Sequence, residues 1–147
     1  MTFQSDPRAI RWRVHLRSAP ERVFAMLATD DGRRRFWAEA SEERDGVIHF
    51  EFPDGSRWAA RVLKCLAPER FVLEYYGGSR VTFTCTADRR GGTDLQVVEQ
   101  DPPRFEREES LAGWVSVLLA LKAAVDHGVD LRNHDRARCW AQGYVDN

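Results

Sequence analysis

Apolar and polar residues alternate along this chain with two different periods, and the change of period marks its elements. Ile10, Trp12, Val14 and Leu16 alternate with Arg11, Arg13, His15 and Arg17, the period-two pattern of a strand with one buried and one wet face. Ser18, Ala19 and Pro20 then read as a helix start, because proline fits the first turn, where its missing N–H is no loss. Val23, Phe24 and Leu27 form the buried stripe of that helix. Thr29 and Asp30 can cap a second short helix anchored by Phe36 and Trp37, with Arg33, Arg34 and Arg35 facing water.

Six further strands are predicted over residues 38–44, 47–52, 56–66, 70–76, 79–86 and 93–100. They are separated by Asp45-Gly46, Pro53-Asp54-Gly55, Pro68, Gly77-Gly78 and Arg90-Gly91-Gly92, all turn-forming sequences. Pro102 and Pro103 end the last strand. Leu111, Trp114, Leu118, Leu121 and Val125 then recur at helical spacing over 105–127, and Gly128 supplies a stop. Residues 129–147, with Leu131, Trp140 and Tyr144, are expected to pack back as an extension on a single domain whose core spans about residues 8–128.

The order β-α-α-β6-α is an α+β arrangement in which helix must cover one face of an antiparallel sheet. One strand phase is charged throughout: Arg11, Arg13, His15, His49, Glu51, Arg57, Arg61, Glu74, Thr82 and Thr84. The other holds Trp12, Phe50, Phe52, Trp58, Phe71, Leu73, Tyr75, Phe83 and Val97. A seven-stranded sheet curls, and one straight helix does not fill its concavity, so space is expected between them. The residues expected to line that space and bind a ligand are Trp37, Phe50, Trp58, Leu73, Tyr75, Phe83, Leu111, Trp114 and Leu118. Gly113 lies inside the long helix, where glycine costs about 1 kcal/mol against alanine. Its presence implies either close approach of a strand or room for a ligand on that side.

Several short sequences together resemble a known family. Ala19-Pro20-Glu21-Arg22-Val23-Phe24, then Trp37, Pro68-Glu69-Arg70, Gly92-Thr93-Asp94-Leu95, and Gly113-Trp114 followed by Leu118, Leu121 and Lys122 are similar to features of the C-terminal domain of the heat-shock protein 90 ATPase activator. That group belongs to the START-like (SRPBCC, birch-pollen-allergen-like) superfamily, and the likeness runs in order over about residues 8–127. The tail resembles that of small bacterial single-domain members. The resemblance implies a helix-grip fold, a seven-stranded curved antiparallel sheet on a long C-terminal helix. In the superfamily the tunnel between them binds lipids, polyketides or other small apolar molecules. It also implies a co-chaperone-like alternative, with a chaperone of the heat-shock protein 90 class as partner, and a small cyclase or hydrolase as a second.

Composition narrows the field. With 22 basic and 23 acidic residues the net charge is -1, so no global field holds a nucleic acid. Cys65, Cys85 and Cys139 form no C-x-x-C pair, and an odd count fits reduced thiols in the cytoplasm. Asp6, Pro7 and Arg8 interrupt the N-terminus where a signal peptide needs an apolar run, and no window suits a membrane span.

Candidate chemistry is sparse. His127 and His134 with Asp126, Asp130 and Asp135 form a His/Asp cluster, but polar residues at a helix end usually cap or meet solvent, and no metal or other cofactor is expected. Cys65 and Cys85 are expected in the core and Cys139 in the more exposed tail. Tyr75 is the main inward polar group. Glu99, Asp101, Glu106 and Glu108 are read as loop residues that could rim the mouth. No acid and base meet on the inward phase, so no catalytic residue is assigned and the reading leans towards binding rather than catalysis.

Overall fold

The computed structural model describes residues 3–147. β1 (Ala9–Leu16) leads into α1 (Pro20–Ala28) and the five-residue α2 (Asp30–Arg34). The strands β2 (Ala40–Arg44), β3 (Val47–Glu51), β4 (Arg57–Leu66), β5 (Arg70–Glu74), β6 (Arg80–Ala87) and β7 (Thr93–Gln100) follow, and α3 (Arg107–His127) comes last of the long elements. Local chemistry accounts for the helix boundaries. Pro20 opens α1, the Thr29 side chain accepts the Gly32 N–H at 3.0 Å to cap α2, and Gly128 ends α3 at φ 63°. Gly32 is required by contact: a Cβ there would lie 2.5 Å from the Met26 Cα, because the two short helices meet backbone to backbone.

All strand pairs are antiparallel, in the order β1-β7-β6-β5-β4-β3-β2. Strands β2 to β7 form a meander, and β1 joins beside β7 in a register running from Ala9 opposite Gln100 to Leu16 opposite Thr93. The first and last strands are therefore neighbours, and the α1–α2 segment carries the chain from one edge of the sheet to the other. A register shift between Val62 and Lys64 interrupts β4 and leaves Leu63 largely exposed.

One sheet face and the two longer helices share a core. Ile10, Leu16, Ile48, Phe50, Phe71, Leu73, Val81, Phe83, Leu95 and Val97 are buried from the sheet, Val23, Phe24 and Leu27 from α1, and Trp114, Leu118, Leu121 and Val125 from α3. The inward phase is thus the apolar one, and α3 lies along it beside β1. The far end of α3 is clipped to the β1–α1 turn. Asp126 accepts the Arg17 N–H at 2.9 Å, the Ser18 N–H at 3.0 Å and the Ser18 hydroxyl at 2.8 Å, and pairs with Lys122 at 3.5 Å. Desolvation opposes ionisation of Asp126, but these bonds outweigh it and hold its pKa below the usual 3.8.

The tail does pack back. Arg132 donates to the carbonyls of Ala38 (2.9 Å) and Arg34 (2.6 Å), and His134 bridges Glu39 at 2.6 Å and Asp130 at 2.7 Å. Asp130 and His134 thus meet beyond the end of α3, while Asp126 is committed to Ser18 and His127 faces solvent.

Three expectations are corrected. Arg33 does not face water: it is 0% exposed, donating to Leu27 O (2.9 Å), Ser41 Oγ (2.8 Å) and Asp30 Oδ1 (2.6 Å). Arg34 and Arg35 are the exposed pair. Cys65 is exposed because the bulged end of β4 runs beyond the covered part of the sheet, and Cys139 is 1% exposed because the tail folds over it. Finally, Glu99 is no rim residue. It lies on β7 in phase with Leu95 and Val97 and is 3% exposed.

Candidate functional site

The seam between sheet and α3 centres on Trp37. Its backbone N–H donates to Arg33 O at 2.8 Å, so the buried guanidinium network that fixes α2 also places this ring. The indole lies 5.0 Å from the Phe50 ring, 5.6 Å from Phe83, 5.9 Å from Tyr75 and 6.0 Å from Trp114, mostly tilted or edge-on, as aromatic quadrupoles prefer. These rings come from β3, β6, the segment after β5, and α3. The centre of the seam is filled by aromatic side chains.

A line of polar atoms runs through the apolar cluster. Trp37 Nε1–H donates to the Tyr75 hydroxyl oxygen at 3.2 Å. Trp114 Nε1–H donates to Glu99 Oε1 at 3.0 Å, and the Ser79 hydroxyl donates to Glu99 Oε2 at 2.7 Å. Trp12 Nε1–H reaches the Leu111 carbonyl at 3.0 Å, tying β1 to the first half of α3. Burial pushes the Tyr75 hydroxyl pKa well above 10, and the negative charge of Glu99 adds to that rise. Tyr75 is therefore a neutral hydrogen-bonding group and not a phenolate. Glu99 is a buried carboxyl group within the seam, and its neighbours are neutral donors, not a cation.

The residues expected from sequence to line the site converge on this seam. Trp37, Phe50, Leu73, Phe83, Trp114 and Leu118 are buried, and Trp58, Tyr75 and Leu111 are half-buried against the same cluster. The half-buried group defines a mouth. Trp58 stacks on Phe52 at 3.9 Å and lies 5.0 Å from Tyr76, whose ring is largely exposed. Tyr76 and Glu106 approach across this mouth, hydroxyl to carboxylate, at 3.5 Å. Asp101, by contrast, is exposed and pairs with Arg8 at 3.3 Å. A Cβ on Gly113 would meet nothing within 4 Å, so that glycine reflects open space and not close approach of a strand.

Sequence reasoning missed Glu99 as a seam residue, although the alternation Leu95, Val97, Glu99 carried the signal. It also missed Arg33, for which no signal separates it from Arg34 and Arg35. A hollow of about 680 Å³, open to solvent over β2–β4, touches the seam at Phe50 and Trp58 and is otherwise lined mainly by polar residues, among them Arg34, Glu42, Arg44, His49, Glu51 and Arg57. Its charges pair internally, Arg57 with Glu51 at 3.3 Å and Arg44 with Glu42 at 3.8 Å, so the aromatic seam is the better candidate for an apolar ligand.

A curved antiparallel sheet closed on a long C-terminal helix, with an aromatic seam between them, defines a START-like, helix-grip protein. The chain belongs to the Activator of Hsp90 ATPase homolog 1-like protein family, whose sequence model matches residues 17–126. Solved structures agree on the fold. The Aha1 dimer from Colwellia psychrerythraea superposes with a TM-score of 0.74 at 20% identity, over 82% of this chain and 97% of that one. Protein SSP2350 from Staphylococcus saprophyticus gives 0.73 at 21%, over 84% and 96%. DynU16, from the dynemicin biosynthetic locus, gives 0.71 at 18%, over 84% of this chain and 49% of that one. At these identities the likeness establishes fold alone. Among curated proteins, none matches the sequence. Among the described residues, no helix is long and apolar enough to cross a membrane.

Proposed function

We propose that this protein is a non-catalytic, single-domain cytoplasmic module that binds a small hydrophobic molecule, lipid or polyketide-like, between the sheet and α3. The observation that carries this reading is the mouth. Trp58, Tyr75 and Leu111 stay half-open to solvent while Trp37, Phe50, Phe83 and Trp114 of the same cluster are buried, although a purely structural core gains by closing over such groups. The fold relative from a biosynthetic locus supports a small-molecule role. The decisive experiment is native mass spectrometry with thermal shift against a lipid and polyketide library. At least one compound should bind stoichiometrically and raise the melting temperature, and silence across the library would overturn the reading.

A second reading, a co-chaperone-like protein acting on a chaperone of the heat-shock protein 90 class, is favoured by the family itself. Adding the protein to such a purified chaperone should then accelerate ATP hydrolysis, and an unchanged rate across a titration would remove it.

A further inference from the structure

The mouth of the seam is rich in hydrogen-bond donors and short of acceptors. Trp58 Nε1 is shielded from solvent and has no hydrogen-bond partner. The Tyr75 oxygen accepts from Trp37, but no acceptor among the described residues takes the Tyr75 O–H proton. The other two seam indoles are satisfied, Trp114 by Glu99 and Trp12 by the Leu111 carbonyl. The two donors are neighbours: the Trp58 and Tyr75 rings lie 6.1 Å apart and nearly perpendicular, and the Trp58 N–H comes close enough to the Tyr75 hydroxyl to act on it as a hydrogen-bond donor without reaching good hydrogen-bond geometry. A buried donor without a partner is costly, and such groups are normally matched.

Stacking on Phe52 and contact with Tyr76 hold the Trp58 ring in this place. The charge around the mouth narrows the acceptor further. Glu99 places a buried negative charge in the same seam. Arg33, the fully buried cation of α2, is engaged with Leu27, Ser41 and Asp30. An anionic ligand oxygen would therefore meet the Glu99 carboxyl group and draw no help from that arginine.

The geometry points to a carbonyl-reading subsite in which Tyr75 O–H and Trp58 Nε1–H both donate to one neutral oxygen of an aromatic or polyketide-like ligand, a ketone, quinone or ester carbonyl. A carbonyl oxygen has two lone pairs and can take both donors. This subsite rests on the binding reading above and adds its chemical selectivity.

The test uses three matched probes on the full chain: 2-acetylnaphthalene, its hydrocarbon isostere 2-isopropylnaphthalene, and 2-naphthoate. Affinity is read by calorimetry, and the Trp58 indole N–H is followed by NMR. The ketone should bind about tenfold or more tightly than the hydrocarbon, because the isostere leaves both donors unpaired. The carboxylate should bind more weakly than the ketone, and the Trp58 N–H resonance should move downfield with the ketone alone. Trp58→Phe and Tyr75→Phe should each shrink the ratio of ketone to hydrocarbon affinity towards one. Equal binding of ketone and hydrocarbon to the unaltered protein overturns the subsite while the hydrophobic-binding reading stands. So does preference for the carboxylate. Failure of all three probes to bind overturns both. The comparison between probes needs no variant, so a folding defect in either substitution does not blunt it.

Discussion

Around Leu121 and Val125 the inward face of α3 is buried, and Asp126 fastens the helix to the backbone of Arg17 and Ser18. Around Leu111 and Trp114, two turns earlier, the same helix faces rings that are only half-covered and an indole N–H with no partner. Both ends draw on one inward strand phase, so hydrophobicity alone does not separate them. What separates them is satisfaction. The far end pairs its polar groups and closes, whereas the near end keeps donors and open apolar surface, the mark of a surface kept for something other than the chain itself.

The contrast can be broken first at Arg33, where the near end is as fixed as the far one. Arg33→Ala strips partners from Asp30, Ser41 and the Leu27 carbonyl and leaves a void behind Trp37. It should cost about 4 kcal/mol in urea unfolding, and a loss below about 1 kcal/mol would mean the Trp37 ring is held by packing alone. Next, Leu121→Ala should cost about 3 kcal/mol, and Leu111→Ala, half-open at the mouth, about 1 kcal/mol. Equal losses would erase the distinction between the two ends.

Acidity and alkalinity should loosen different fastenings. Asp126→Ala should cost about 2 kcal/mol at pH 7. The folded pKa of Asp126 lies below its unfolded value near 3.8, so its contribution is complete above that pH and is lost as pH falls through the folded pKa. The gap between wild type and variant should therefore shrink in acid. The tail behaves oppositely. Hydrogen bonds donated by the His134 ring to Asp130, then to Glu39, raise its pKa above 6.5, so its contribution is complete below that value and fades as pH rises through the folded pKa. Asp130 stays charged throughout, since the bonds from Arg132 and His134 overcome its desolvation and hold it at about 2. Hydrogen exchange across residues 129–147 should speed up between pH 6 and 9 beyond the intrinsic rate, and His134→Gln should remove that dependence.

The smallest expected effect is the most discriminating. Gly113→Ala puts a methyl group where nothing lies within 4 Å, on a helix that favours alanine. It should stabilise the protein by about 0.7 kcal/mol. If the open space beside Gly113 belongs to the binding site, the same substitution should weaken a ligand found in the library screen, and unchanged affinity would place that space outside it.

Alternation and turn residues were enough to read the succession of strands, the inward phase and the α3 stripe from the chain, because each depends on neighbours within a few positions. Glu99 shows where such reading falters. Its phase was visible beside Leu95 and Val97, but a carboxylate is normally kept at the surface, and only Ser79 and Trp114, fifteen or more residues away in sequence, make its burial tolerable. The bulge that exposes Leu63 and the fold of the tail over Cys139 were likewise invisible.

The residue pattern was enough to set an apolar sheet face against a helix carrying Trp114, since burying such faces drives sheet and helix together. Which of three successive arginines is buried, which carboxylate joins the seam, and which indole lacks a partner emerge only once the fold is assembled. Those outcomes depend on hydrogen bonds between distant segments, and the strength of a polar contact is set by the burial that the whole fold creates around it.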